Sequence, residues 1–444
     1  MKKKKNYILK DYLSWLIVFL PFILIYSRAI ADIIVITTSL YFIYYKLKQR
    51  DSRWIHEPWI KISFIIYFWF IFISFFSYNW EIAFTRAIGW IRFIVFITAL
   101  KNLYLENEIW RKRVLYSVSF SVIYISLFMV IELILIYKDR LINNSNWLYT
   151  RLLGPFNSAG KGAIMLSLLF FPALIGNSIN GLKFFKDKKL FIFIFLITFI
   201  CILFSGHRAS FYIFSISTFI YTIYLYLNLK NKKFIFKFLS IIVLSLIFLA
   251  IFSNKQFDRI FKSSYSDLIN YTKSSYYAAS ETGVKMFMKH PVTGVGLKNF
   301  HIACEFPDFI SESHKKYNIT PWWGVSIERI KNAGFDINNI NVKGELKPPT
   351  CYTHAHNLYV SLLAETGFIG FFLYLILIFK IIQYFYLNIN ILKQTPSLGV
   401  MISLIPLMTP MLPITNLFSN WNAILLWFSI GWAFSYCNIK KNLK

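Results

Sequence analysis

The sequence predicts an all-α polytopic membrane protein, and three observations carry that prediction. Of 444 residues, 57% are hydrophobic and only 15% are charged, whereas a soluble domain carries about a quarter charged residues. Apolar runs of about 20 residues, long enough to cross a hydrocarbon core, recur along the chain. The mean hydropathy is +0.53. Lipid offers backbone groups no hydrogen-bond partners, so such runs must satisfy themselves as helices.

About twelve candidate spans are expected from these runs. They lie near residues 12–28, 30–47, 61–77, 84–104, 113–137, 160–178, 189–206, 209–228, 233–252, 357–386, 397–413 and 418–437. The first two form a tight pair split by Ser27, Arg28 and Asp32. Met1 and Lys2 to Lys5 precede an apolar segment without a small-residue cleavage site, which reads as a cytoplasmic tail and uncleaved signal anchor. The basic stretches are the N-terminus, Lys46 to Arg53, Arg111 to Arg113, Lys186 to Lys189, Lys230 to Lys237 and Lys440-Lys441. With twelve spans they share one face, which the positive-inside rule makes cytoplasmic. The opposite face then holds 138–159, the short turn 206–208 and a large loop, 253–356. Three units follow: an N-terminal transmembrane bundle of about nine helices at 1–252, the periplasmic loop domain at 253–356, and about three C-terminal helices at 357–444.

The formal net charge of +28 does not point to nucleic acid, because lysine and arginine concentrate in the short loops between spans. The large loop reads as a small mixed domain rather than a tether, given Phe300, Phe306, Phe309, Trp322, Trp323 and Phe335. It also carries Cys304 and Cys351, which on an oxidising face form either a disulfide closing the loop base or two free thiols. Cys201 and Cys437 fall within spans and read as packing residues.

The segment from Thr353 to Gly370 places His354 and His356 where the loop runs into an apolar helix. With Thr353 as N-cap, His356 enters the first helical turn, where the helix dipole keeps an imidazole neutral and able to accept a proton. Free amides there also suit a phosphate. The alternative is a pair of interfacial histidines anchoring a helix end. Arg208, in Ser205-Gly206-His207-Arg208, joins two spans with almost no loop. An arginine there either snorkels or grips a diphosphate through its planar fork. Arg151 opens a glycine-rich run, Arg151 to Gly162, that lacks a Walker A pattern and any preceding strand. Arg92, in the fourth span, requires a partner inside the bundle. Histidines 290, 301 and 314 are scattered. No spacing suggests a metal site, so neither a metal nor another cofactor is expected.

These motifs, in this order, resemble the O-antigen ligase family, which overlaps with O-antigen polymerases. Arg151 to Phe156 is similar to the family's Arg-Leu-x-Gly-x-Phe segment, and Ser205 to Arg208 to its Ser-x-x-Arg turn. His290-Pro291-Val292-Thr293-Gly294-Val295-Gly296 resembles its His-Pro-x-x-Gly-Val-Gly segment, and His354 to Asn357 with Glu365 to Gly370 its most recognisable motif. The resemblance implies an architecture like the GT-C glycosyltransferases, set in the bacterial inner membrane with its site facing the periplasm. It further implies transfer of a polysaccharide from undecaprenyl diphosphate to a lipid A–core sugar. His356 would be the base and Arg208 the diphosphate grip, with Arg151, His354 and Asn357 also at the substrates. The family carries a further arginine before the His-Pro pair, and this chain has Tyr276 near that place. Lys273 or Arg259 are the candidates to supply the charge. The same donor chemistry fits an O-antigen polymerase or a protein O-oligosaccharyltransferase. The reading from another class is a transporter, which the scarcity of intramembrane acids and of paired broken helices opposes.

Overall fold

Polar punctuation between the apolar runs sets the helix boundaries. A computed structural model of the chain describes residues 2–143, 151–157, 160–180, 188–228, scattered positions from 233 to 247, 257–304, 306–313, 353–409 and 419–437. Most of the ninth expected span lies outside the described residues, as do Cys351, His314, Trp322, Trp323 and Phe335.

The N-terminal part comprises α1 (Lys2–Tyr26), α2 (Arg28–Lys48), α3 (Pro58–Ser74), α4 (Trp80–Ala99), α5 (Glu108–Asn143), α6 (Lys161–Asn180), α7 (Lys188–Phe204) and α8 (Arg208–Asn228). Ser27 separates α1 from α2 and caps the latter, its Oγ accepting from the Ile30 amide. Pro58 occupies the first position of α3, where its missing N–H costs nothing. The large loop contributes α9 (Ser263–Ile269) and α10 (Ser275–Lys289), and the chain returns through α11 (Leu358–Leu387), α12 (Ser397–Leu404) and α13 (Asn420–Cys437). There is no strand among the described residues, so the described part of the loop is helical rather than mixed.

Among the described residues, seven helices are long and apolar enough to cross a membrane, with shorter apolar helices at Pro58–Ser74, Ile192–Phe204 and Ser397–Met408. The chain is a multi-pass, all-α membrane protein. Its surface fits that reading: Phe19, Phe68, Phe219 and Phe379 are exposed, an arrangement that lipid rewards and water does not. Polar groups turn inward. Arg92 on α4 finds its partner in Asp32 on α2, Nε to Oδ1 2.9 Å, and Asn420 donates to the same carboxylate at 3.1 Å.

Ion pairs mark one end of the bundle. Lys10 meets Glu106 at 2.7 Å, and the buried Lys101 on the segment after α4 meets Glu57 before α3. The other end faces the loop. There the α3–α4 turn docks on it, the Asn79 amide donating to Asn299 Oδ1 at 2.7 Å.

A break in α11 holds the loop in place. Gly367 has φ +66 and ψ −175, which interrupts the helix and strands several backbone groups at the membrane boundary. The segment His290 to Gly296 supplies the missing partners. Val295 and Gly296 amides donate to the carbonyls of Ala364 (2.8 Å) and Glu365 (3.1 Å), and the Phe368 amide donates to Pro291 O at 2.8 Å. Gly294 lies against the Glu365–Thr366 peptide, and a side chain on Gly367 would strike the Val292 carbonyl. Two motifs far apart in sequence are therefore one structural unit, and it fixes the start of α11 against α10.

Candidate functional site

The site forms where four pieces converge: the α7–α8 turn, the start of the loop, the N-terminus of α10, and the residues before α11. Each piece is held by its own local bonds.

At the α7–α8 turn, Ser205 Oγ accepts the His207 amide at 3.2 Å, and the chain re-enters helix at Arg208. His207 is a locked residue. Its Nδ1 accepts from the Ser210 amide at 3.2 Å, and burial lowers its pKa to about 4. Arg208 is instead directed at the loop, where its guanidinium pairs with the carboxylate of Asp267 on α9. Arg259 arrives from the loop start and donates from Nε to the Gly206 carbonyl at 3.2 Å. Ile260 beside it is fully buried, and its carbonyl accepts from the Tyr212 hydroxyl of α8 at 3.3 Å. Two arginines thus share one turn. Lys273, the other candidate for the second charge, sits exposed in the short helix Tyr271–Lys273.

The histidine segment differs from expectation in its cap. Asn357, not Thr353, is the N-cap of α11, its Oδ1 accepting from the amides of Tyr359 (3.0 Å) and Val360 (3.2 Å). Thr353 instead shares a 2.8 Å hydrogen bond with His354 Nδ1. An Asx side chain adjacent to the helix caps it without the longer span a Thr353 start requires. His356 therefore precedes the helix, and two amides expected to attract phosphate are already occupied. His356 is neutral for another reason than the one expected: burial, not the helix dipole, lowers its pKa to about 4. Its backbone is left-handed, φ +52, a conformation that costs a non-glycine residue about 1 kcal/mol and clusters at functional sites.

The His354 ring lies against that of His356, tilted by 50° with centroids 4.3 Å apart. Burial, helped by His356 and Lys298, holds it well below the ordinary imidazole range. Its Nε2 is buried with no hydrogen-bond partner among the described residues, which is unusual for an interior polar atom. Between them, Ala355 is anchored: its carbonyl accepts from Ser280 on α10 at 3.2 Å and its amide donates to Ser361 Oγ at 3.3 Å.

Tyr276 links the two halves. Its ring meets His356 edge-on, centroids 5.6 Å apart at 89°. Burial raises its pKa, while the charges of Arg208, Asp267 and Arg259 all act on its hydroxyl. Asp267 and Tyr276 carried no sequence signal as site residues. Asp267 is 59 positions from Arg208, and Tyr276 was legible only as a missing arginine.

Arg151 is brought to the edge of the same site. Leu152 donates its amide to the Phe204 carbonyl at the end of α7, 3.4 Å. The glycine-rich run does not offer its amides to a ligand there, since Leu153 and Gly154 donate to the Glu132 carboxylate of α5 at 3.1 and 2.8 Å. Cys304 is disulfide-bonded, while its expected pairing with Cys351 lies outside the described residues. Cys201 and Cys437 are free and buried, as expected of packing residues.

In sum of charge and chemistry, the arrangement presents two guanidiniums for an anion beside two neutral imidazoles able to accept a proton. A family model described as O-antigen ligase matches residues 193–375, a stretch that contains Arg208, Arg259, Asp267, Tyr276 and both histidines. No curated protein matches the sequence significantly.

Proposed function

Because a family model described as O-antigen ligase matches residues 193–375, we propose that the protein transfers O-antigen or a related polysaccharide from undecaprenyl diphosphate to a sugar of lipid A–core. The observation that carries this reading is the convergence of Arg208 and Arg259 on one turn beside His356. A lipid-linked diphosphate needs paired cations at a membrane boundary, and a sugar hydroxyl needs an unprotonated base next to it.

In the proposed reaction His356 takes the proton of an acceptor hydroxyl, and that oxygen attacks the anomeric carbon. The bond from the anomeric carbon to the diphosphate breaks, and its electron pair leaves on the diphosphate. One displacement inverts the anomeric centre. Arg208 and Arg259 stabilise the developing negative charge through charge-assisted hydrogen bonds. Arg259, rather than Lys273, stands in for the family's loop arginine, because it docks on the Arg208 turn. Arg151 flanks the donor, and the unpartnered Nε2 of His354 is available to an acceptor hydroxyl. Asn357 serves the site by capping the helix behind the histidines. No metal or nucleotide enters this scheme.

We place the site on the periplasmic face of the bacterial inner membrane, with about twelve spans in a GT-C-like arrangement. The units would be 1–252, 253–356 and 357–444, and the loop disulfide would join Cys304 to Cys351. The test is transfer by purified protein with a lipid-diphosphate-linked glycan and alternative acceptors. Polymerised donor would indicate an O-antigen polymerase, and a glycosylated peptide a protein O-oligosaccharyltransferase. Absence of any glycosyl transfer to these acceptors would contradict the proposal.

A further inference from the structure

Tyr276 stands at the junction of the two chemistries, and nothing in the scheme above uses it. Its ring braces His356 edge-on, at 89° and 5.6 Å. It lies in the first turn of α10, whose N-cap, Ser274, accepts from the Tyr277 amide at 3.2 Å. The same helix is tied to the histidine segment through Ser280 and the Ala355 carbonyl, so the backbones that carry the ring and the imidazole are held together. The charges of Arg208, of its partner Asp267 and of Arg259 all act on the Tyr276 hydroxyl.

We infer that Tyr276 is a donor-contacting and positioning residue: its ring sets the plane of His356, and its hydroxyl donates a hydrogen bond to the diphosphate held by Arg208 and Arg259. The inference rests on the diphosphate reading of the site. Two features make a phenol suitable here. A neutral donor adds no third positive charge beside Arg208 and Arg259, which already repel each other when no anion is bound. Burial also keeps the phenol protonated, so the hydroxyl remains a donor throughout the cycle. In the reaction Tyr276 keeps its proton. The acceptor proton goes to His356, and the electron pair of the broken bond stays on the diphosphate, whose new charge shortens and strengthens the phenol hydrogen bond.

The ring and the hydroxyl separate by mutation. The full-length protein in detergent is titrated with farnesyl diphosphate and, separately, farnesyl monophosphate, and transfer kinetics are measured on the same preparations. Tyr276→Phe keeps the ring and is expected to weaken diphosphate binding about tenfold, the worth of one hydrogen bond to a charged group, with monophosphate binding little changed. Tyr276→Ala removes the brace as well and is expected to lower kcat beyond the Phe variant. Tyr276→Arg restores a forked donor and is expected to bind diphosphate at least as tightly as the native protein. A Phe variant that binds diphosphate like the native chain, while Arg208→Ala does not, overturns the role of Tyr276 alone. If native protein and Arg208→Ala bind both ligands equally, the diphosphate site itself fails and the inference falls with it. Should the Phe variant not accumulate, loss of diphosphate preference in a folded Tyr276→Arg protein overturns the inference independently.

Discussion

Arg259 Nε donates to the carbonyl of Gly206, two residues before Arg208, at 3.2 Å. The contact stitches the start of a large loop to a turn between two membrane helices. It also means the two guanidiniums are not independent, because displacing Arg259 frees the backbone that aims Arg208.

Coupling between them is therefore measurable. Arg208→Ala and Arg259→Ala should each weaken binding of a prenyl diphosphate by at least about tenfold. The double variant should lose less than the product of the two, with an interaction of about 0.5–3 kcal/mol. Equilibrium titration of the four proteins of the cycle checks it, and strict additivity would show that the two arginines act independently.

In the proposed reaction the donor diphosphate must compete with Asp267 for Arg208, whose guanidinium pairs with that carboxylate. The pair is partly solvated, with side chains 22% and 37% exposed, so it contributes little to stability, on the order of 1 kcal/mol or less. Asp267→Asn should lower the KM for the lipid-linked donor about threefold or more, as a carboxylate no longer has to be displaced, and should leave thermal unfolding nearly unchanged. Initial-rate kinetics on the purified variant decide the point. A raised KM would show instead that Asp267 orients Arg208 for the donor.

The pH profile follows from burial of His356. Its pKa in the folded protein is lowered from an ordinary 6.5 to about 4. A base works only when unprotonated, so protonation removes activity as pH falls through the folded value. Thus kcat/KM should stay flat from pH 8 down to about 5 on account of His356 and drop only below that. An acid limb centred near 6.5, persisting in the absence of other titrating substrate groups, would mean the base is solvated. The same depression has a stability consequence: burying a neutral imidazole disfavours the fold as pH drops below 6.5, and this destabilisation grows until about 4.

Gly367 tests the link between the two distant motifs. It adopts φ +66, and a side chain would meet the Val292 carbonyl. Gly367→Ala should destabilise the protein by more than about 2 kcal/mol, since strain in a left-handed backbone adds to the clash. Thermal unfolding in detergent or expression yield reads this out. Native-like stability would show that the break in α11 relaxes without the His290–Gly296 segment.

What the sequence could and could not reveal divides along local and non-local physics. Apolar runs mark most of α1 to α8 because lipid burial is a property of each run by itself. The demand that Arg92 find an intramembrane partner was legible too, since the penalty does not depend on who the partner is. Its identity, Asp32, was visible only as an odd acid in an apolar stretch. The helix cap was misassigned because Thr353 and Asn357 are both good caps, and only packing of Ala355 on α10 decides between them. Asp267 and Glu132 were invisible: each makes its bond across a tertiary contact, 59 and about 21 positions from its partner. The glycines of the two motifs entered only as parts of a family resemblance, whereas Gly294 and Gly367 act by letting two backbones touch.

In the proposed reaction the His356 imidazole and the Arg208 guanidinium act on the same lipid-linked glycan, so loss of either should abolish transfer. The most direct measurement is lipopolysaccharide display in a ligase-null strain carrying His356→Ala or Arg208→Ala, with protein levels matched. The native chain should restore the long-chain ladder, and neither variant should. A full ladder from either variant contradicts the proposed reaction.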